Sequence, residues 1–166
     1  MRIFLITIGL WLLAFNSASA QDLKIADVFR QMPDSLMPYL TENNRLDFID
    51  FLDSNMKAEV RNSLGGTSEM TSLADDSLSI RMSNSARIDM FLMKLDQPID
   101  SITQVIAVIE TFMVDSIYGE STVKYYTPDW KRLAQQPPLN EAQENKIHKN
   151  ILQNLLKREE NLLNKR

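Results

Sequence analysis

The hydrophobic period of the chain changes at Gly65-Gly66. Before the two glycines, apolar residues recur every three or four positions, which is typical of helices that bury one face. After them, apolar and polar residues alternate over residues 77–83 and again over 86–92, as in half-buried strands. Asn84-Ser85 lies between these runs and predicts a tight turn, hence a hairpin. The order predicts an α+β fold in which N-terminal helices pack on an antiparallel β-meander.

Two helices are predicted before the glycines. The first begins with Asp22 as its N-cap and ends at Pro33, and its buried face consists of Ile25, Val28, Phe29 and Met32. One or two helical turns follow over residues 34–40. The second and stronger helix is predicted over residues 44–64, with Asn44 as N-cap and Gly65-Gly66 as its C-terminal stop.

Two more strands complete the predicted meander. Residues 103–114 are apolar and β-branched on both faces, which favours a central strand covered by helices on one side, although the length also allows a helix. Residues 122–127 form a fourth predicted strand, which Pro128 ends.

The composition shifts at residue 134, where Gln135-Gln136-Pro137-Pro138 predicts a stiff linker. Asn140 and Gln143 have the spacing of a capping box, and an apolar stripe then predicts an amphipathic helix over residues 141–164. We therefore expect a single α+β domain over residues 21–133, then a linker and C-terminal helix over 134–166. The stripe needs a surface to cover it, on this domain or on another chain.

Residues 1–20 have the pattern of a secretory signal peptide. Arg2 is followed by an apolar run over residues 3–15, and Ala18-Ser19-Ala20 is a small-residue cleavage site that places the cut between Ala20 and Gln21. The run is shorter than the ~20 residues that a membrane span needs. The competing interpretation is a buried N-terminal helix. Export predicts a periplasmic or extracellular location for the mature chain, which has no candidate transmembrane helix.

Charge and composition exclude several classes of function. Without Arg2, the 18 basic residues become 17 against 22 acidic ones, and this net charge of −5 argues against a nucleic-acid partner. The chain has no cysteine, which excludes a thiol nucleophile and thiolate metal sites. Dinucleotide, phosphate-loop and serine-hydrolase motifs are absent from the sequence. We predict no catalytic residue, no cofactor and no metal ligand.

Two groups of titratable residues invite a catalytic interpretation. His148 follows Glu144 by one helical turn, but two groups do not make a zinc site, so a position at the edge of a packing face is favoured. Asp47, Asp50 and Asp53 recur every three residues, which favours a solvated helix face. A hydrolase would have to pair Asp50 or Asp53 with a distant carboxylate, for which the candidates are Asp89 and Glu110.

Aromatic residues concentrate near the end of the meander: Tyr118, Tyr125, Tyr126 and Trp130. They would suit a sugar or an apolar ligand. Cross-strand aromatic packing explains them without a ligand and is the favoured interpretation.

The N-terminal half of the chain resembles a known family. The similarity lies in Met32-Pro33-Asp34-Ser35-Leu36, Pro38-Tyr39-Leu40, Asn44-Arg45-Leu46-Asp47, the run over residues 49–54, and Leu64-Gly65-Gly66. These motifs resemble an uncharacterised secreted-protein family of Bacteroidetes-type bacteria, over residues 21–133. The resemblance implies an exported protein of unknown function and implies no catalytic residue.

The dipeptide Asp-Ser occurs five times in the mature chain, where chance pairing at this composition gives about one. Turn formation is one explanation, because both side chains bond nearby backbone amides. In four cases Leu or Ile follows, which resembles the acceptor motif for O-linked glycans on exported proteins of the same bacterial group. The candidate acceptors are Ser35, Ser77, Ser101 and Ser116.

The sequence favours a non-catalytic binding or interaction protein of the cell envelope, with an envelope protein or a glycan as its partner. The alternative is a carboxylate-dependent hydrolase that acts on envelope or extracellular glycans.

Overall fold

The computed structural model describes residues 23–114 and 117–163. The predicted signal peptide, its cleavage site at Ala20 and Gln21, and the candidate acceptor Ser116 lie outside the described residues. No helix of the described part combines the length and the apolarity that a membrane span requires.

Two helices and one 3-10 turn precede the sheet in the described residues. Helix α1 spans Ile25–Arg30, the 3-10 turn spans Asp34–Leu36, and helix α2 spans Glu42–Asp53. Ile25, Val28 and Phe29 of α1 are buried, as their spacing predicts. The N-cap of α2 is Thr41, not Asn44: the Thr41 hydroxyl accepts from the Asn44 backbone, and the Asn44 side chain accepts from the Thr41 backbone.

The prediction of one helix over residues 44–64 is wrong in its second half. Helix α2 stops at Asp53, Asn55 takes a left-handed φ of 55°, and strand β1 follows at Glu59–Arg61. Met56 and Val60 continue the helical spacing in sequence, but Val60 is buried by its place in a strand and Met56 is 52% exposed. A four-residue interval fits both a helical period and a strand period, and here the strand prevails.

Gly65 does not end a helix. It has a φ of 80° and lies in the turn between β1 and strand β2, Thr67–Leu73. Strand β2 is missing from the sequence prediction because its buried positions, Ser68 and Met70, include only one apolar side chain.

The remaining strands agree with the predicted meander. They are β3 at Ser77–Arg81, β4 at Ala86–Ile99, β5 at Ile102–Val114 and β6 at Ile117–Tyr126. The six strands of the described residues form one antiparallel sheet in the order β1-β2-β3-β4-β5-β6, so each strand pairs with its neighbour in sequence. The α+β class is confirmed.

Helices cover both faces of the sheet. On the α1/α2 face, Phe29 and Phe48 share a core with Ile80, Met90 and Ile106. On the opposite α3 face, a second core consists of Phe91, Met93, Leu95, Val105, Ala107, Ile109 and Ile147. Strand β5 is therefore buried on both sides, and not only on the side of the N-terminal helices.

Helix α3 spans Glu141–Leu163 and packs through Ile147 against the sheet of the same chain. Its predicted capping box is present. The backbone amide of Asn140 donates to the Gln143 side-chain oxygen, and the backbone amide of Gln143 donates to the Asn140 side-chain oxygen, both at 3.0 Å. The Gln143 side chain also donates to the carbonyl of Lys94 at 2.7 Å. These contacts fix the start of α3 on strand β4.

Arg45 of α2 is a buried arginine, 1% exposed. Its Nη1 donates to the Asp34 carboxylate at 2.8 Å and to the Leu40 carbonyl at 2.9 Å, and its Nη2 donates to the Met32 carbonyl at 2.5 Å. One guanidinium therefore holds the whole connection between α1 and α2. Burying such a charge is tolerated when hydrogen bonds replace its hydration, and here the two terminal nitrogens are bonded while Nε is buried without a partner among the described residues.

We expect Arg45→Ala to lower the free energy of unfolding by about 2–4 kcal/mol, since it leaves two buried carbonyls without donors. Arg45→Lys retains the charge but not the forked geometry and should recover only part of the loss. Urea unfolding followed by the fluorescence of Trp130, the sole tryptophan after residue 20, measures both. The matched control is Arg30→Ala, because the half-buried Arg30 binds only Asp27 of its own helix, and an equal loss there would contradict the role of Arg45.

Candidate functional site

The carboxylates proposed for a hydrolase do not come together. Asp50 and Asp53 are exposed on α2, as the solvated-face interpretation expects, and α2 covers the α1/α2 face. Asp89 is 0% exposed and points to the other side of the sheet, because Met90 beside it belongs to the α1/α2 core and Phe91 to the α3 core. The sheet itself separates these carboxyl groups.

Glu110 is equally remote from α2. It binds Lys124 Nζ at 2.5 Å on strands β5 and β6, whereas α2 packs on β1 and β2. Strands β2 and β5 are three spacings apart, or about 14 Å, which exceeds the separation of a glycosidase carboxylate pair.

The histidine is also alone. His148 is exposed on α3, and the neighbouring Glu144 accepts from Gln136 at 3.2 Å. Within residues 23–114 and 117–163, no group of three or more potential ligands could hold a metal ion.

Asp89 belongs to a polar cluster beneath α3. Arg87 Nε donates to its carboxylate at 2.9 Å, Asn154 Nδ2 of α3 donates at 3.1 Å, and the Ser79 hydroxyl donates from the adjacent strand. Sequence reasoning placed Arg87 and Asp89 on a polar strand face without indicating that a helix covers them. The cluster satisfies a buried charge and fastens the middle of α3 to the sheet.

Lys146 makes a second ionic attachment of α3. Its Nζ lies 2.5 Å from the Asp76 carboxylate and 5.0 Å from the centre of the Phe91 ring. The hydrogen bond from Lys146 lowers the pKa of Asp76 below its ordinary value. The side chains of Lys146 and Asp76 are 40% and 57% exposed, whereas Asp89 is fully buried, so this attachment is weaker than the Asp89 cluster.

The aromatic residues serve mainly the core. Trp130 and Tyr126 are buried with ring centres 5.7 Å apart, and Trp130 Nε1 donates to the Val28 carbonyl of α1 at 2.9 Å. Burial raises the pKa of the half-buried Tyr125. The side chain of Tyr118 lies outside the described residues. Their arrangement agrees with the structural interpretation rather than with a sugar site.

A groove of about 430 Å³ opens at one end of the α1/α2 face. We call it the hairpin groove, because it lies between the β1–β2 turn and the β3–β4 turn. Its apolar walls are Tyr39, Leu64, Met82 and Ala86, and its polar walls include Thr67, Arg81, Ser83 and Asn84.

The Asn62 side chain fixes the β1–β2 turn that forms one wall of this groove. Its side-chain oxygen accepts from the backbone amides of Leu64 and Gly66 at 3.1 Å, and its amide nitrogen donates to Ser68 at 3.0 Å. The Ser63 amide donates to the Tyr39 carbonyl at 3.1 Å and joins the turn to the segment before α2. The turn is thus held firmly while Leu64 remains 72% exposed.

An apolar surface continues beyond the groove. Phe112 of β5 is 51% exposed and lies directly opposite Ala86 in the β4–β5 ladder. Tyr39, Leu64 and Phe112 account for three of the six exposed large apolar side chains of the described residues. These three side chains lie at one end of one face and form an apolar patch beside the groove.

A second cavity of about 330 Å³ lies between α1, α2 and the β2–β3 turn. Four of its five charged wall residues pair with each other, since Lys24 binds Asp75 at 3.0 Å and Arg30 binds Asp27 at 3.2 Å, and the fifth is the exposed Asp53. The hairpin groove is therefore the better candidate.

The family model described as "Protein of unknown function (DUF3256)" matches residues 15–160. The chain belongs to this family. The expectation of a family without an assigned function is thereby confirmed, and the match extends through most of α3. Among curated proteins, none matches the chain.

A solved structure shares the fold. It is titled "Structure of a domain of an uncharacterized protein from Porphyromonas gingivalis W83", with 23% sequence identity and a TM-score of 0.53. The similarity covers 72% of this chain and 64% of that one, so our chain spans less than two thirds of its relative. At this identity the likeness concerns the fold alone.

The motifs quoted for the family resemblance have a structural explanation. Arg45 and its partners Met32, Asp34 and Leu40 all lie in the quoted motifs. Leu64-Gly65-Gly66 is the turn that Asn62 holds. The motifs therefore build the loop and the turn that border the hairpin groove.

The structure separates the candidate glycan acceptors by exposure. Ser35 is exposed in the 3-10 turn, and Ser101 is exposed in the β4–β5 turn, where Asp100 and Ser101 both have positive φ. Ser77 is half-buried at the start of β3, beside the Asp76 that Lys146 binds. Glycosylation itself stays a prediction.

We predict that Ser101 and Ser35 carry glycans in the native host and that Ser77 is spared, because a transferase needs an accessible hydroxyl. Intact-mass spectrometry of the chain from the host should show hexose-sized increments that Ser101→Ala or Ser35→Ala removes. Ser54→Ala is the matched control, since Ser54 is exposed after Asp53 but precedes Asn55. A mass equal to the bare polypeptide would leave only the turn explanation.

Proposed function

We propose that the chain is an exported, non-catalytic binding protein of the cell envelope, and that the hairpin groove is its binding surface. The observation that carries this proposal is the exposure of Leu64 at 72% on a turn whose Leu64 and Gly66 amides are bonded to the Asn62 side chain. Burial of a leucine side chain contributes about 1.5–3 kcal/mol, so a partner that covers Leu64 gains affinity without reorganising the turn.

The chemistry of the walls favours a protein partner over a glycan. Leu64 and the half-buried Ala86 offer aliphatic surface, and Phe112 extends it beyond the groove. The Asn62 amide, which could have bound a sugar hydroxyl, is used within the turn. A peptide segment with an apolar or aromatic side chain is the occupant that these groups accommodate best.

The hydrolase alternative receives no support from the positions of its carboxylates. Asp50 and Asp53 lie across the sheet from Asp89, and Glu110 is bound to Lys124. No observation on the described residues favours another reaction.

Export has its own test. We expect the chain isolated from the native host to begin at Gln21 and to fractionate with the periplasm or the extracellular medium, because residues 1–20 have the pattern of a cleaved signal. N-terminal sequencing and cell fractionation measure both properties. A cytoplasmic chain that retains Met1 would contradict the localisation but not the groove.

For the groove, we predict that a photoreactive side chain at position 64 forms a discrete protein adduct in the intact envelope. The same side chain at position 152 should not, although Leu152 is also exposed, at 45%, on α3. The first position lies in the proposed interface and the second lies on the opposite face of the sheet.

Affinity for the cross-linked partner then decides the assignment. Leu64→Lys should weaken binding by about tenfold or more, since it removes a buried leucine from the interface. Leu152→Lys, the matched control, should leave affinity unchanged. Equal effects of the two substitutions, or adducts that do not depend on position, would refute the groove as the binding surface.

A further inference from the structure

Strand β6 leaves one long edge of the sheet open. The C-terminal end of β6 is covered. Arg132 forms an isolated β-bridge with Tyr126, and the Leu133 amide donates to the Tyr125 carbonyl at 2.9 Å. Between residues 117 and 124, no described part of the chain pairs with β6 from the outside. An open edge of this length is a template for another strand.

The bond from Leu133 also fixes which backbone groups face outward. Since the Tyr125 carbonyl points away from β5, alternation along an antiparallel strand directs the amide and carbonyl groups of Ser121 and Val123 outward as well. These two residues present the free donors and acceptors of the edge.

The opposite edge of the sheet is protected in a different way. Strand β1 has only three residues, Glu59–Arg61, and two of them are charged. Short, charged edges disfavour strand addition. Strand β6 has ten residues, so its edge is long enough to pair, and its two charges, Glu120 and Lys124, have opposite signs.

We propose that β6 pairs with β6 of a second copy of this chain, antiparallel about a two-fold axis at Thr122. In this register Ser121 of each copy exchanges backbone hydrogen bonds with Val123 of the other. Glu120 of each copy then lies directly opposite Lys124 of the other, so the edge is complementary in charge to itself.

The charges select this register over its neighbours. A two-fold axis at Glu120 or at Lys124 places each of these charges opposite itself. An axis at Val123 pairs Ser121 with Tyr125, whose carbonyl Leu133 already occupies, and so retains backbone bonds only between the two Val123 residues. The axis at Thr122 meets the same obstacle only at its outermost pair, Gly119 with Tyr125, and therefore retains both Ser121–Val123 pairs in a ladder over residues 120–124. An axis at Ser121 places the Gly119 irregularity of β6 in the ladder and leaves Glu120 opposite Thr122.

The partly exposed ammonium group of Lys124 can bind a second carboxylate. Its Nζ already binds Glu110 at 2.5 Å, and its side chain is 32% exposed. Glu120 is exposed and has no ion-pair partner among the described residues. Pairing of two copies would place Lys124 between two carboxylates, which is more favourable than an isolated surface pair.

Sedimentation equilibrium of the chain from Gln21 onward, over micromolar to millimolar concentrations, tests the proposal. We expect a monomer–dimer equilibrium that Val123→Pro weakens by about tenfold or more, because proline removes an outward donor from each copy. The inward bonds to β5 are retained, since proline is tolerated where the amide faces outward from an edge strand. Thermal unfolding at low concentration confirms that the variant folds.

Charge exchange provides the sharper test. Glu120→Lys and Lys124→Glu should each weaken self-association by about tenfold, since each places like charges opposite one another. An equal mixture of the two variants should restore the dimer as a heterodimer. Asp50→Lys on exposed α2 is the matched control, because it makes the same change in charge as Glu120→Lys away from β6.

Hydrogen exchange locates the contact. Protection of the Ser121 and Val123 amides should rise with protein concentration, while the amides of the hairpin groove remain unchanged. A chain that stays monomeric throughout, or a dimer that is insensitive to Val123→Pro, overturns the proposal. A monomer whose Ser121 and Val123 amides become protected only with an added extended peptide also overturns it and assigns the edge to a foreign strand. None of these outcomes bears on the binding of a partner at Leu64.

Discussion

The guanidinium of Arg45 is the interaction on which the helical side of this fold depends. It is inserted beneath a connection that has little regular structure, and it supplies donors to carbonyls that would otherwise be buried without partners. This arrangement positions Tyr39, which carries one wall of the hairpin groove. The same residues carry the family resemblance, so the motif is better understood as architecture than as chemistry.

On the α3 face of the sheet, side-chain hydrogen bonds and ion pairs position the helix. Helix α3 covers an apolar core around Ile147 but is fastened through polar contacts: Gln143 on Lys94, Lys146 on Asp76 and Asn154 on Asp89. Directional bonds of this kind define where the helix lies along the strands, which aliphatic contacts alone do less well. Both helix layers are thus positioned by buried or bridging charges rather than by apolar contact alone.

Sequence reasoning succeeded where burial coincided with apolar side chains. Strands β3, β4 and β5 and helix α3 follow from alternation, β-branching and capping. It failed at β1 and β2, because Asn62 and Ser68 are buried through hydrogen bonds to each other and carry no apolar signal. The spacing of Met56 and Val60 then extended the helix wrongly.

The hairpin groove could not be predicted from the sequence, because it depends on a contact between two separate segments. Tyr39 and Leu64 are distant in sequence, and a backbone hydrogen bond between Ser63 and Tyr39 brings them together. Nothing in the local pattern of either segment indicates this contact. The local sequence around Asp89 also does not indicate that helix α3 covers it, since the contacting residue, Asn154, lies 65 positions later in the chain.

The strand order has a consequence for how the chain reaches this structure. Because every strand pairs with its predecessor, the sheet can grow hairpin by hairpin as the chain emerges, with little loop-closure cost at each step. The bond from Trp130 to Val28 joins residues 102 positions apart and can form only when the meander is complete. Until then α1 lacks its distal partner, so we expect the N-terminal helix to be among the last elements to become rigid, although it is made first.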